Sequence, residues 1–348
     1  MRPTWADIDL RAFDRNIDAI NARLPEGSRL IAVLKANAYG HGAVELARRC
    51  TADRVAMIAT ALLEESLALR RAGIALPLLV LGPLQEEQIR EAVENDIAIG
   101  VVGPEELALA ARAGEVHVHL KLDSGMGRMG VVESELPHVA EILRSSPGLK
   151  LDAIYTHLAN ADDRKDPFTS EQIARFRTLV ATLREAGITA PLQHIANSAA
   201  TLRGLVSPGE HARVGIALYD NVLRWRTEIM RLKDLPPGHA IGYGTTFHTG
   251  RASRIATLPV GYADGYNRRL SNRGEVLVRG QRAPVVGRVS MDLVTIDVTD
   301  IAGAALGDEV VLLGDAITVE ELAEKLDTIT YEVFCSISAR VPRVYHSA

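Results

Sequence analysis

Through residues 30–219, short apolar runs alternate with segments of helical period. The runs fall at 30–35, 54–60, 77–82, 96–102, 116–123, 151–159, 193–199 and 213–219. Several are apolar at consecutive positions, which predicts strands buried on both faces, as in a parallel sheet. Between them, 61–72 is apolar every three or four residues and stops at Gly73, a suitable C-cap. Pro104 opens 105–113 ahead of Gly114, as suits a helix start. Thr169-Ser-Glu-Gln172 has capping-box spacing before the periodic 173–186, which ends at Gly187. Eight strand–helix units predict an α/β fold, a (β/α)8 barrel of the TIM type, rather than an open doubly wound sheet. The open sheet calls for Gly-x-Gly-x-x-Gly after its first strand, and Gly40-His-Gly42 lacks the third glycine.

Near residue 228 the pattern changes. Apolar runs at 254–260, 275–279, 283–289, 293–298, 309–313 and 331–337 now follow one another across short turns, and only 318–326 has helical period. The expectation is a barrel over 10–227 and a mainly β C-terminal domain over 228–348, connected through Leu235-Pro-Pro-Gly238. The strand in residues 1–9 is expected to join the second domain.

Composition narrows the class. The 348 residues are 47% hydrophobic and 24% charged, enough for roughly two packed domains. A formal net charge of −5 gives no electrostatic case for nucleic acid or an anionic membrane. The longest apolar runs fall short of the ~20 residues of a membrane span, and the start has no apolar stretch of a secretory signal. Cys50 and Cys335 suggest no disulfide framework, and no Cys/His cluster has zinc spacing. Cys335, within an apolar run, reads as a buried thiol. A cytoplasmic enzyme is expected.

The candidate chemistry starts at Lys35, which ends the apolar run Leu30-Ile-Ala-Val-Leu and opens Ala-Asn-Ala-Tyr-Gly-His-Gly. In parallel α/β folds the strand carboxyl ends carry the chemistry. A lysine there is either a side chain snorkelling to the rim or a Schiff-base nucleophile. Other strands end in polar residues too: Lys121 through Arg128, His157, Asn197-Ser198, and Arg213 with Gly215. In a barrel these ends converge on one mouth. The Ser198 hydroxyl and the backbone at Gly215 suit a phosphate.

These residues closely resemble the alanine racemases, pyridoxal 5′-phosphate enzymes whose first domain is a barrel. The resemblance covers nearly the whole chain. It rests on Trp5-Ala-Asp-Ile-Asp-Leu10, on Ala32 through Gly42, and on Leu122-Asp-Ser-Gly-Met-Gly-Arg128. It continues in Tyr243-Gly-Thr-Thr-Phe247, Gly261-Tyr-Ala-Asp-Gly265, Gly287-Arg-Val-Ser-Met-Asp292 and Arg340-Val-Pro-Arg-Val-Tyr345. It implies interconversion of L- and D-alanine, for peptidoglycan supply or alanine catabolism. Lys35 would carry the cofactor as a Schiff base and act as one catalytic base. Tyr39, Asn197, Ser198, Gly215, Ile216 and Tyr345 would belong to the cofactor site, mostly at its phosphate. Arg213 would face the pyridine nitrogen, with His157 beside it. Arg128 would touch cofactor and substrate carboxylate, supported by Lys121. Tyr243 would be the second base and Met291 a carboxylate contact, both from the partner subunit, so the implied assembly is a homodimer with shared sites. Tyr262, Arg288 and Asp292 would line the substrate path. The chain departs from the family pattern at Val214 and Asp220. The competing readings are a decarboxylase of the same two-domain plan and a barrel that carries the cofactor without catalysis.

Overall fold

The computed structural model describes residues 2–314 and 316–347, so the outermost residues of the expected domains, 1 and 348, lie outside it. Strand β1 (Thr4–Asp9) belongs to a sheet described below. The next eight strands close into a barrel: β2 (Leu30–Val33), β3 (Met57–Thr60), β4 (Leu78–Val80), β5 (Ile97–Val101), β6 (Val116–Lys121), β7 (Leu149–Tyr155), β8 (Leu192–His194) and β9 (Glu210–Val214). Each pairs in parallel with the next, and β2 pairs with β9 to complete the ring. All residues of β2, β4 and β5 are buried, as the consecutive apolar runs require when helices cover the outside.

The helices fall largely where the period put them, with one displaced start. Phe168–Glu185 begins five residues before the expected 173. Asp166, rather than Thr169, accepts the Phe168 N–H (2.8 Å), and the Thr169 hydroxyl is buried in the helix instead of capping it. The last barrel strand is also earlier than the expected 213–219: it occupies 210–214, and Ile216–Tyr219 is a 3-10 turn. The Tyr219 ring lies 6.1 Å from Phe13, and its hydroxyl donates to Val33 O (2.7 Å).

The chain divides into two compact units, one of residues 13–38 and 43–219 and one of 1–12, 39–42 and 220–348. The expected barrel limit at 227 is therefore too late, because β10 (Leu223–Glu228) pairs with β1 and not with the barrel. The second unit continues with β11 (Arg231–Leu235), β12 (Ala240–Ile241), β13 (Phe247–His248), β14 (Ser253–Leu258), β15 (Glu275–Val278) and β16 (Gln281–Pro284). Strands β17 (Val294–Asp297), β18 (Glu309–Leu313) and β19 (Arg343–His346) complete it. Its main sheet has the order β16-β15-β18-β10-β1-β19, and β11-β14-β17 form a smaller sheet. Strand β1 runs antiparallel to β10 and parallel to β19.

Four readings of this region are corrected. The Pro-Pro-Gly stretch joins β11 to β12 inside the second unit rather than joining two domains. The run at 283–289 is strand only as far as Pro284. Residues 331–337 form the helix Thr330–Ser336, with Val333 and Phe334 buried and Tyr331 exposed. On that helix Cys335 is exposed, not buried. The expected helix at 318–326 is Val319–Leu326, with the Thr318 hydroxyl accepting the Glu321 N–H. Near the N-terminus, Arg2 forks onto buried Asp264 (2.6 and 2.9 Å), the aspartate of the Gly261–Gly265 turn. Among the described residues no helix is long and apolar enough to cross a membrane.

Candidate active site

Strand β2 leads into Lys35, and the chain then turns left-handed. Ala36, Asn37, Ala38 and Tyr39 all have φ of 53–54°. Each such residue costs about 1–2 kcal/mol without a compensating hold. The hold comes from neighbours. Glu65 accepts the Ala36 N–H through Oε1 (2.5 Å) and the Ala61 N–H through Oε2 (2.9 Å). Asn37 Oδ1 accepts the Ala43 N–H (2.8 Å), and the Ala38 N–H donates to Leu34 O (2.8 Å). The turn projects Lys35 from the strand end instead of continuing the strand.

Arg213 on β9 is buried, and its fork is fixed from both sides. Nη1 donates to His194 Nδ1 (2.8 Å) and His194 O (3.1 Å). Nη2 donates to Thr156 O (2.8 Å) and His157 Nδ1 (2.9 Å). Because arginine only donates, both imidazole Nδ1 atoms are acceptors and both rings carry their proton on Nε2. His194 Nε2–H then donates to His119 Nδ1 (2.9 Å), which puts the His119 proton on Nε2. A column of neutral imidazoles thus stands behind a permanent cation. The Tyr155 ring stacks on His194 (4.6 Å), and the Arg213 guanidinium lies 5.2 Å from the Tyr155 centroid.

The charges agree with this geometry. Burial, then the field of Arg213, Lys121, Arg128 and Lys35, pushes His157 down to about 3. Burial, with Arg213 next, pushes His119 down to about 3, and His194 is pushed well below its ordinary range by the same two causes. Lys121 is lowered to about 8, chiefly by burial and then by Arg128 and Arg213. Five sequence-selected groups, Lys35, Lys121, Arg128, His157 and Arg213, therefore lie within one another's fields in the barrel unit. Arg128 is carried on the loop that closes back on β6, where the Val131 N–H donates to Lys121 O (2.8 Å).

The phosphate candidates in the barrel also meet. The Gly215 and Ala217 N–H groups donate to Ser198 Oγ (3.1 and 3.4 Å) at the turn that contains Ile216. Asn197 caps the helix that Ser198 begins by accepting the Ala200 N–H (3.0 Å). Val214 is buried in β9 and keeps a backbone N–H that proline would lack.

The other selected residues lie in the second unit. Tyr39 is buried, its ring 5.8 Å from that of Tyr331. Tyr345 on β19 has its hydroxyl 1.8 Å from where a Cβ on Gly42 would stand. Tyr243 is 74% exposed, between Gly242 and Gly244, which both pack towards Arg288. The Tyr262 N–H donates to Ser290 O (3.0 Å), and the Ala263 N–H to Met291 O (3.0 Å), so Tyr262 and exposed Met291 sit on abutting turns. Asp292 accepts from Arg340 (2.6 Å).

Glu65, His119, Tyr155 and His194 were not singled out from the sequence. The available signal was polar residues two apart in otherwise buried strands, His119 with Lys121 and Tyr155 with His157, since such pairs share a face. Among the described residues no group of three or more His, Cys, Asp or Glu could hold a metal.

The donor set fits pyridoxal 5′-phosphate. It offers a primary amine at a strand end, an N–H and hydroxyl cluster for a phosphate, and a cation whose fork is already oriented. Comparison with known proteins gives matches along nearly the whole chain. Residues 8–221 match the family "Alanine racemase, N-terminal domain", and 222–345 match "Alanine racemase, C-terminal domain". The alanine racemase of Halothermothrix orenii is 42% identical, covering 99% of this chain and 97% of its own. That of Methanococcus maripaludis is 39% identical, over 99% and 98%. Among solved structures, the Bacillus anthracis alanine racemase with bound L-Ala-P superposes with a TM-score of 0.93 at 37% identity, covering 99% of this chain and 95% of that one. The Clostridium difficile 630 alanine racemase gives 0.93 at 34%, over 99% and 96%.

Proposed function

This chain belongs to the alanine racemase family and has that isomerase activity, and from this premise we propose how its own residues carry it out. Members of the family depend on pyridoxal 5′-phosphate. We assign that cofactor to the barrel site, with Lys35 as its covalent anchor. Ser198, Gly215 and Ile216, with Tyr39, hold the phosphate, and Asn197 fixes the helix start that presents Ser198. Tyr345, expected at the phosphate, has its hydroxyl beside Gly42, on the same loop as Tyr39. When bound, the cofactor supplies a carbonyl carbon for the amino group and a conjugated ring that spreads charge from Cα.

Racemisation removes the Cα proton on one face and returns it on the other. Lys35 serves one face, and the exposed phenol of Tyr243 from a second copy serves the other. Arg213 would hold the ring nitrogen of the bound cofactor without surrendering a proton, because a guanidinium stays charged and its fork is bound to neutral imidazoles and carbonyls. That fork is the observation that carries the reading. The same contact leaves His157 with its proton on Nε2, available to a phenolate. Arg128 and, from the second copy, the Met291 N–H bind the substrate carboxylate, and Lys121 lies within the field of Arg128, which favours its uncharged form. Tyr262, Arg288 and Asp292 line the approach of alanine. The active assembly is a cytoplasmic homodimer.

Mixing Lys35→Ala with Tyr243→Phe tests the shared site. Each variant is inactive alone, but a mixed dimer has one site with both bases intact. At full exchange about a quarter of wild-type activity returns, by the symmetry of a two-fold dimer. No recovery despite demonstrated exchange refutes the shared site.

A further inference from the structure

The loop Tyr39–Gly42 belongs to the second unit although it follows directly on Lys35. Its main anchor is Arg343 on β19, a residue given no role above. Arg343 Nε donates to Gly40 O (2.9 Å), Nη1 to Ser338 O and Val341 O (both 2.6 Å), and Nη2 to Ile337 O (2.7 Å). These acceptors are all backbone carbonyls. One planar fork therefore ties the loop to the segment 337–341, a span that the single ammonium of lysine cannot reproduce.

The rest of the loop is moulded to the same surface. A Cβ on Gly40 would stand 2.7 Å from Phe334 O. The buried His41 ring packs on Phe334 at 4.9 Å, and its Nδ1–H donates to Tyr39 O (2.9 Å). Tyr345 lies two residues beyond Arg343 and so on the same face of β19. Its hydroxyl fills the place a side chain on Gly42 would need, at a residue whose φ is +102°. Tyr39 itself is left-handed and ends a strained turn, so its phenol is only as well placed as the loop behind it. A half-buried cation is an expensive way to brace a loop. An apolar side chain could fill the space but could not orient three separate carbonyl groups and the Gly40 backbone together.

We propose that Arg343 is a positioning residue for the cofactor phosphate: it fixes the Tyr39–Gly42 loop and through it the Tyr39 phenol. The inference rests on the assignment of Tyr39 to the phosphate made above. The test titrates the full chain, stripped of cofactor, with pyridoxal 5′-phosphate and separately with pyridoxal, which lacks the phosphate. Parent, Arg343→Met, Arg343→Lys and Tyr39→Phe are compared, with melting temperatures recorded alongside. Arg343→Met and Arg343→Lys weaken pyridoxal phosphate binding by about five-fold or more and change pyridoxal binding by less than about two-fold. Tyr39→Phe shifts the ratio in the same direction. If Arg343→Met does not fold, Arg343→Lys carries the comparison. A lower melting temperature with the parental ratio of the two affinities makes Arg343 a structural residue and overturns the inference. If Tyr39→Phe alone alters the ratio, the phosphate assignment stands and only the inference falls. If Tyr39→Phe leaves it unchanged, both fall.

Discussion

Replacing Ala36 with glycine should stabilise the protein, the reverse of what that exchange does in ordinary structure. Ala36 is exposed and has φ +53°. Glycine there relieves a left-handed cost of about 1–2 kcal/mol and keeps the N–H that Glu65 binds. Against this, the unfolded chain gains freedom worth about 0.4–1 kcal/mol. The net is a gain of about 0.5–1 kcal/mol, or roughly 1–3 °C in melting temperature if the barrel unit unfolds as one body. An exposed alanine in a right-handed helix would lose about 0.5–1 kcal/mol on the same exchange, so the sign alone decides. Ala38→Gly is the control. Its φ is +54° but the residue is fully buried, and losing a buried methyl costs about 0.8 kcal/mol, which cancels the gain. Scanning calorimetry at fixed protein and cofactor concentration measures both. A fall in melting temperature for Ala36→Gly would refute the strained-turn account.

Two further outcomes follow from burial. Lys121 is lowered from 10.5 to about 8, mainly by burial. Its charged form is disfavoured in the fold, so the penalty is complete below pH 8, fades between pH 8 and 10.5, and is absent above. Lys121→Met should therefore be more stable than the parent at pH 7, by no more than about 3 kcal/mol, with the difference shrinking through that window in urea titrations. A difference independent of pH contradicts this. For the two thiols, burial pushes Cys50 up to about 12, whereas Cys335 is exposed. A thiol reagent should modify Cys335 in the native chain and Cys50 only on unfolding, and equal rates would show that the barrel opens readily.

The barrel was legible because consecutive apolar residues between helical segments leave few alternatives to strands covered on both faces. Strand ends, and with them Lys35, Arg213 and Ser198, followed from the same pattern. What escaped were features set by distant pairing. Residues 223–228 alternate buried and less buried positions, but nothing local says that their partner is β1. The run at 331–337 has no strand partner and closes into a helix over the buried pair Val333 and Phe334. The left-handed turn was invisible because alanine and asparagine carry no signature that demands it. Glu65 holds it from another helix. His119 and His194 look like single polar residues in apolar strands, and only closure of the ring puts them in line behind Arg213.

The place of β1 has a consequence for biosynthesis. It is made early, yet it is held between β10 and β19, and the latter begins at Arg343. The barrel can complete its ring once residue 214 has left the ribosome, whereas β1 waits roughly 130 residues more for its second neighbour. At about 5–20 residues per second, that is some 6–26 s in which a nascent segment presents an unsatisfied edge to other chains. Slow translation between residues 214 and 343 prolongs that exposure and fast translation shortens it.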